Sequence, residues 1–588
     1  MRKFFILFLI ALTVFSLAGT VALAVEQDDA DIYRELRAAV EELVGPGKAK
    51  GAVLSIVKDG ELMVCTGFGD ADAFLGFAAD GDTTAFRIGS VSKTFVAVAA
   101  QRLVQDGMLD MDRTIADYLE EDFPVLSYPV TMRQLLTHTA GFEDRITGMA
   151  VSHVSDTEPL DKSVRRHMPK QVFRPGEVVS YSNYGIALAA YVVECVVQQD
   201  FSQFCREAIF LPLGMHRTTF EHMHDVVYVS KPYLPNGEET MEPYMNLYPE
   251  GSAVSTASDM AAYMAWLLDK TDGRVLSAQS KEALFSQQFS MADELPGVSL
   301  AFSRKERNGK LYYEKKGETL HFYSRIALYP EENAGVFLSF NTYLPAHVID
   351  KVTQTATALL YGAPATGDAG PKKTTMDISG CYVNNWSNFT TPELLLRYLV
   401  PGKILTIDGM PLEGFSMNGE AMILIGEDLY QSPIGVLKFL NKNDTVMIAT
   451  QSAITYSKIP FWQHSKLQVL PILLFAASVL VCLTRELFLL IGKQKRRGSR
   501  MFLICAIIQL LSFCTLCVLM YHGIASFSLL AFALPLKLCA KLFLAATAAG
   551  AGYGVYLKAM RNSLSPVSII WALCSLLFCA WMIWVNLL

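Results

Sequence analysis

Four long apolar stretches crowd the end of the chain: Leu467–Thr484, Met501–Met520, Leu529–Leu557 and Val567–Leu588. Stretches of this length and composition cross a bilayer as helices, because a helix satisfies its own backbone polar groups where no water can. This region must therefore fold in lipid. The loops between the stretches alternate in charge. KQKRRGSR carries five basic residues, YHGIASFS carries no Lys or Arg, and the third loop, around Lys558 and Arg561, is basic again. Under the positive-inside rule the first and third loops are cytoplasmic, which places the long polar middle of the chain outside. The N-terminus agrees independently. MRKFFILFLIALTVFSLAGTVALA has a basic start, an apolar run and the small residues Ala22 and Ala24, so residues 1–24 read as a signal peptide, with an uncleaved first helix as the alternative. Lys537 and Lys541 sit near the start of the third stretch and are read as snorkelling to the outer surface.

The remainder divides by composition. From Asp29 to about Val44 the spacing is that of an amphipathic helix, followed by two apolar runs joined by Lys58-Asp59-Gly60, a hairpin signal. Val298–Phe302, Lys310–Lys315, Phe322–Tyr329 and Gly335–Phe340 read as successive antiparallel strands, and a helix from about His347 to Leu360 closes the unit. Residues 25–361 therefore form an α+β domain. Residues 362–375, GAPATGDAGPKKTT, have linker composition. Residues 376–460 read as a small β-rich module with Asp408-Gly409 as a hairpin turn, and residues 466–588 form the membrane region.

Three short motifs carry candidate chemistry. Ser90-Val91-Ser92-Lys93 lies between the strand-like Ala85–Ile88 and a helical pattern, so Ser90 stands at the mouth of a helix with Lys93 one turn on. A buried lysine beside a hydroxyl can lose its proton and act as a base, and the helix N-terminus favours developing negative charge. Tyr181-Ser182-Asn183 offers a phenol, whose pKa two nearby cations would lower, and an amide that can orient a substrate. Lys315-Lys316-Gly317 offers a charge for a carboxylate on a strand whose glycine permits close backbone approach. Singly, each motif is also explained as a cap, a turn or a charged edge strand.

Together, in this order and spacing, they resemble the serine β-lactamase and penicillin-binding-protein superfamily, most closely the class C β-lactamase-like branch with its esterases and DD-peptidases. The likeness runs from about Asp29 to Tyr361 and takes in TMRQLLTHTAG at Thr131–Gly141, FRPGEVVSYSNYG at Phe173–Gly185, LPLGM at Leu211–Met215 and GSAVSTASDMAAYM at Gly251–Met264. The resemblance implies a β-lactamase/DD-peptidase-like domain, with an antiparallel sheet flanked by helices. It implies that Ser90 attacks a carbonyl and becomes acylated, that Lys93 and Tyr181 handle its proton, and that Asn183 and Lys315 bind substrate. The backbone N–H groups of Ser90 and Glu318, after Gly317, would form the oxyanion hole. The third motif departs from the family pattern. Lys316 stands where a Thr is usual, Glu318 follows the glycine, and His321 and Tyr323 occupy positions where Gly and Ser are frequent. These departures leave the substrate open.

Other chemistries find less support. A formal net charge of -7 argues against a nucleic-acid partner. His222 and His224 have metal-ligand spacing but lack a third ligand, so no metal or other cofactor is expected. His138 reads as a structural loop residue, and no G-x-S-x-G occurs. A Cys195–Cys205 bridge is chemically allowed outside the cell, but nothing requires it. Two functions follow as expectations. One is a membrane-anchored, extracytoplasmic serine hydrolase acting on small-molecule or peptidoglycan-type peptides, amides or esters. The other is a sensor that acylates or binds a wall fragment without efficient turnover and signals through its four spans.

Overall fold

Asp59 and Gly60 take left-handed φ values of 53° and 83°. This is the geometry of a tight turn whose twist matches the strands it joins. Those strands are β1 (Gly51–Lys58) and β2 (Glu61–Asp72), as the sequence leads one to expect. The computed structural model describes residues 32–223, 226, 228–363, 373–410, 414–491, 499–525, 533–561, 566–585 and 587. Residues 1–24, expected as a signal peptide, most of the linker at 362–375, most of the first basic loop and His224 lie outside the described residues.

A helix over residues 32–41, α1, precedes the hairpin. The sheet is completed by β3 (Phe77–Ala78), β4 (Ser303–Arg307), β5 (Lys310–Glu318), β6 (Tyr323–Tyr329) and β7 (Ala334–Phe340). Its order is β3-β2-β1-β7-β6-β5-β4, seven strands with every pairing antiparallel. The strand expected at Val298–Phe302 forms instead at Ser303–Arg307. That segment is SRKER, a charged edge strand, and edge strands are often charged rather than apolar.

Strand alternation sends side chains to two different cores. Val53 and Val57 of β1 join Ile326, Leu328 and Phe337 on the inner face, against α2 (Lys93–Gln105), α3 (Asn183–Val197) and α4 (Ala257–Leu268). Leu54 and Ile56 join Ala327, Val336 and Leu338 on the outer face, against α1 and α5 (Ala346–Tyr361). The three layers leave helix-start loops facing one end of the sheet, where chemistry-bearing residues collect.

The β-rich module is a closed barrel: β8 (Gly380–Asn384), β9 (Ile404–Met410), β10 (Gly414–Met417), β11 (Glu420–Gly426), β12 (Leu429–Ser432), β13 (Gly435–Lys442), β14 (Thr445–Thr450) and β15 (Thr455–Ile459). Tyr382, Leu405, Ile407, Leu437 and Phe439 fill it, as side chains fill an eight-stranded barrel. Asp408-Gly409 is not the expected turn. Both residues sit within β9, paired with Ser416 and Phe415, because the barrel ladder overrides the local turn preference.

Four long helices follow: α6 (Ser465–Ile491), α7 (Ser499–Ala525), α8 (Ala533–Arg561) and α9 (Pro566–Trp584). All four are long and apolar enough to cross a membrane. Lys537 and Lys541 lie in the first turns of α8 on its exposed side. Leu394 and Leu395, from the short turn Pro392–Leu395 after β8, are buried in the same cluster as Phe475, Phe502, Phe543 and Phe578 of the helices.

Candidate active site

Ser90 lies in a tight helical turn, Gly89–Ser92, that runs directly into α2. Gly89 has φ of 53°, and a Cβ there would stand 2.8 Å from the Glu318 nitrogen. A Cβ on Gly317 would stand 2.0 Å from the Ile88 carbonyl oxygen. Both glycines are required for β5 to pass against the turn, and this contact sets the Glu318 backbone beside Gly89, next to Ser90.

Around Ser90 the motifs converge. Lys93 Nζ donates to Ser90 Oγ at 2.8 Å, and the Tyr181 hydroxyl donates to the same oxygen at 3.0 Å. Lys315 Nζ lies 5.2 Å from the Tyr181 ring centroid and Lys93 Nζ 5.3 Å from it. Ser182 caps α3 by accepting from Gly185 N–H, which fixes the turn that presents Tyr181 and Asn183. Asn183 Nδ2 contacts Met149 Sδ at 3.5 Å, while its Oδ1 is buried without a partner among the described residues.

Glu250 is the residue that sequence reading missed. Lys93, fully buried, gives one proton to the Glu250 carboxylate at 2.6 Å and another to the Glu250 backbone oxygen at 2.5 Å. Glu250 directly precedes the GSAVSTASDM segment, so a carboxylate bordering a recognised motif was the available signal. Its presence corrects the expected charge state. Burial, the largest single influence, would drive the Lys93 proton off, but Glu250 and Tyr181 together outweigh it and hold the ammonium above its ordinary range. The expected lowering of the Tyr181 phenol is also corrected. Burial outweighs the Lys93 ammonium and raises it. Lys315 moves the other way: burial, and then repulsion from Lys93, push it well below the usual lysine range.

His138 is buried behind Tyr181, with ring centroids 4.2 Å apart. Its Nδ1 accepts from the Ser182 N–H at 3.2 Å, and burial holds it neutral. His222 packs edge-on against Tyr244 at 5.5 Å.

The departures in the third motif resolve by register. Ser324 pairs with Gly317, Arg325 with Lys316 and Tyr323 with Glu318. Lys316 and Glu318 therefore face outward, away from Ser90. Lys316 binds Asp350 of α5 at 2.6 Å, and Arg325 binds Asp350 at 3.0 Å and Glu318 at 3.1 Å. A small residue, Ser324, faces the site opposite Gly317, so Tyr323 does not crowd it. Glu318 offers the site its backbone, not its carboxylate.

A family model described as Beta-lactamase matches residues 36–358. Among curated relatives, the putative penicillin-binding protein PbpX of Bacillus subtilis (strain 168) is 29% identical over 236 residues, which cover 39% of this chain and 57% of PbpX. Protein flp of Staphylococcus aureus (strain MW2) is 24% identical over 353 residues, covering 57% of this chain and 69% of flp. The crystal structure of SurE shares the fold at 18% identity, with a TM-score of 0.52 over 74% of this chain and 99% of its own. The chain belongs to the Beta-lactamase family.

Proposed function

We propose that this protein is an extracytoplasmic, membrane-anchored serine hydrolase that forms an acyl-enzyme at Ser90 on peptide, amide or ester substrates of cell-wall type. The observation that carries this reading is the position of Ser90 Oγ, 2.8 Å from Lys93 Nζ and 3.0 Å from the Tyr181 hydroxyl, at a helix start beside the Glu318 backbone.

The charge states shape the mechanism. Lys93 is an ammonium at rest, so it must pass a proton to Glu250 before it can take one from Ser90. Ser90 Oγ then attacks the carbonyl carbon, and the backbone N–H groups of Ser90 and Glu318 receive the oxyanion. Tyr181 enters this step as a neutral phenol and protonates the departing amine or alcohol. The proton held by Glu250 returns through Lys93 to Tyr181. Net, the Ser90 proton leaves on the first product. Water then attacks the acyl carbon and regenerates Ser90. A substrate carboxylate would relieve the crowding of Lys315 against Lys93, and a substrate amide would satisfy the unpaired Asn183 Oδ1.

The test is a panel of chromogenic esters and D-Ala peptides with the full-length protein. Ser90→Ala should lose hydrolysis by at least about 10³-fold. Parent-level hydrolysis in that variant would sink the reading. A second reading, acylation without efficient turnover, is favoured by the Lys93–Glu250 pair, which keeps Lys93 protonated at rest, and by the packing of Leu394 and Leu395 against the membrane helices. Intact-mass spectrometry after mixing with a fluorescent penicillin separates the two. A lasting adduct without steady turnover supports the sensor, and repeated turnover supports the hydrolase.

A further inference from the structure

The barrel reaches into the active site through one side chain. Trp386 lies just after β8, and its ring centroid is 4.9 Å from that of Tyr181. Tyr181 therefore packs against His138 from its own domain and Trp386 from the barrel. Lys403, just before the next barrel strand, holds its ammonium 3.9 Å over the Trp386 ring, donates to the Trp386 carbonyl and reaches Asp144 at 3.5 Å.

The backbone on both sides of Trp386 is fixed to the catalytic unit. The residue before it, Asn385, accepts from Ser180 Oγ at 3.0 Å, and Ser180 directly precedes Tyr181. The residue after it, Ser387, accepts from the Asp144 N–H at 3.0 Å. Thr455 of β15 donates to the Val179 carbonyl at 2.7 Å, and Glu143 accepts from the Phe389 and Thr390 N–H groups at 2.7 and 2.9 Å. These bonds hold residues 179–181 and 385–387 in one register.

We infer that Trp386 is a positioning residue for the Ser90 reaction: the barrel supplies it to clamp the Tyr181 ring and keep its hydroxyl on Ser90 Oγ. This rests on the hydrolase reading above. It gives the barrel a role in catalysis instead of that of a spacer between enzyme and membrane. The Trp386 ring also covers part of Tyr181 from water. The groups facing that phenol are Ser90 and Lys93 from the α2 start, Glu250 behind Lys93, His138 from its loop, Lys315 from β5 and, behind Trp386, Lys403 with Asp144. Burial keeps the phenol protonated to higher pH than usual. Opening the clamp lets water reach it, so it ionises at lower pH.

The experiment uses the full-length protein in detergent, with Ser90 acylation by a fluorescent penicillin or a chromogenic ester as the readout. Trp386→Ala should lower the acylation rate at saturating substrate by about 10–100-fold while KM changes by less than about threefold. Its alkaline limb should move down by about one pH unit. Trp386→Phe, which keeps an aromatic face, should recover most of the rate. A double-mutant cycle separates positioning from general damage: in a Tyr181→Phe background the further loss from Trp386→Ala should shrink to less than about threefold. If Trp386→Ala fails to fold, Trp386→Phe and Trp386→Leu carry the same cycle. A Trp386→Ala protein that acylates at the parent rate with the parent pH profile overturns the inference, and so does a loss that persists undiminished in the Tyr181→Phe background. A parent protein that never forms the Ser90 adduct overturns the hydrolase reading together with this one, an outcome distinct from a labelled parent with unaffected Trp386 variants.

Discussion

On the outer face of β5, Glu314, Lys316 and Glu318 meet partners of opposite charge: Lys305, Asp350 and Arg325 respectively, with Asp350 shared between Lys316 and Arg325. On the inner face, Lys315 points into a site where a second ammonium, Lys93, already holds Glu250. Both faces bury charge, yet the consequences differ. The matched outer cations draw the Glu314 carboxyl down to about 2. The crowded inner face pushes Lys315 well below its usual range and leaves the Asn183 oxygen unpaired. Matched charge is how a fold carries buried ions; unmatched charge and unpaired polar atoms mark a place kept for a substrate.

The contrast breaks most sharply at Lys93. Lys93→Met should cut Ser90 acylation by about 10³-fold and also cost about 3–5 kcal/mol of stability, because Glu250 is left buried without its partner. Thermal unfolding beside stopped-flow acylation reads both. A variant that acylates normally would remove Lys93 from the proton path.

Glu250→Gln should change the pH dependence of acylation with little change in KM, since an amide cannot hold the proton on Lys93. The sign with pH follows from the pair. Glu250 holds the Lys93 proton on, so without it Lys93 deprotonates at lower pH, and the residual rate of the variant should climb as pH rises. A residual rate that is flat from neutral to alkaline pH would argue against the relay.

The outer face should behave oppositely. Asp350→Ala leaves the fully buried Arg325 with Glu318 as its remaining carboxylate and frees Lys316. It should destabilise by about 1–3 kcal/mol and leave acylation within about threefold of the parent. A selective loss of activity at unchanged melting temperature would show that the two faces are coupled. The smallest effect is at acid pH. The folded pKa of Glu314 lies below its ordinary 4.5, so its contribution is present above about 4.5 and is lost as pH falls towards about 2. The melting temperature of the parent should therefore drop more steeply across that window than that of Glu314→Gln.

Much of this was legible in the residues. The hairpin at Asp59-Gly60, the closing helix near His347–Leu360, the β-rich character of the module and the four apolar spans all follow from local pattern, because period, turn chemistry and apolar length act within a few turns of chain. Boundaries were less legible where charge replaced apolar pattern, as at Ser303–Arg307, or where a ladder overrode a turn, as at Asp408-Gly409. Ser90, Lys93, Tyr181, Asn183, Lys315 and Gly317 were named from their motifs, and the structure brings Lys93 and Tyr181 to Ser90 Oγ, Lys315 to the Tyr181 ring and Gly317 against the Ile88 carbonyl.

Glu250 and Trp386 were not legible. Neither stands in a motif, and each reaches the site only through a residue far away in sequence, Glu250 through Lys93 at 2.6 Å and Trp386 through Tyr181 at 4.9 Å. The departures at Lys316, Glu318 and Tyr323 looked like changes to the site until register placed them on the other face. What the residues alone determined is the order of segments, their polar or apolar character, and the three motifs that hold Ser90 and its neighbours, because motif and periodicity are properties of adjacent positions. What the tertiary structure decided is the charge of each group and the partner that holds it. Those depend on burial and on distances between residues far apart in the chain, such as Lys93 and Glu250 or Tyr181 and Trp386.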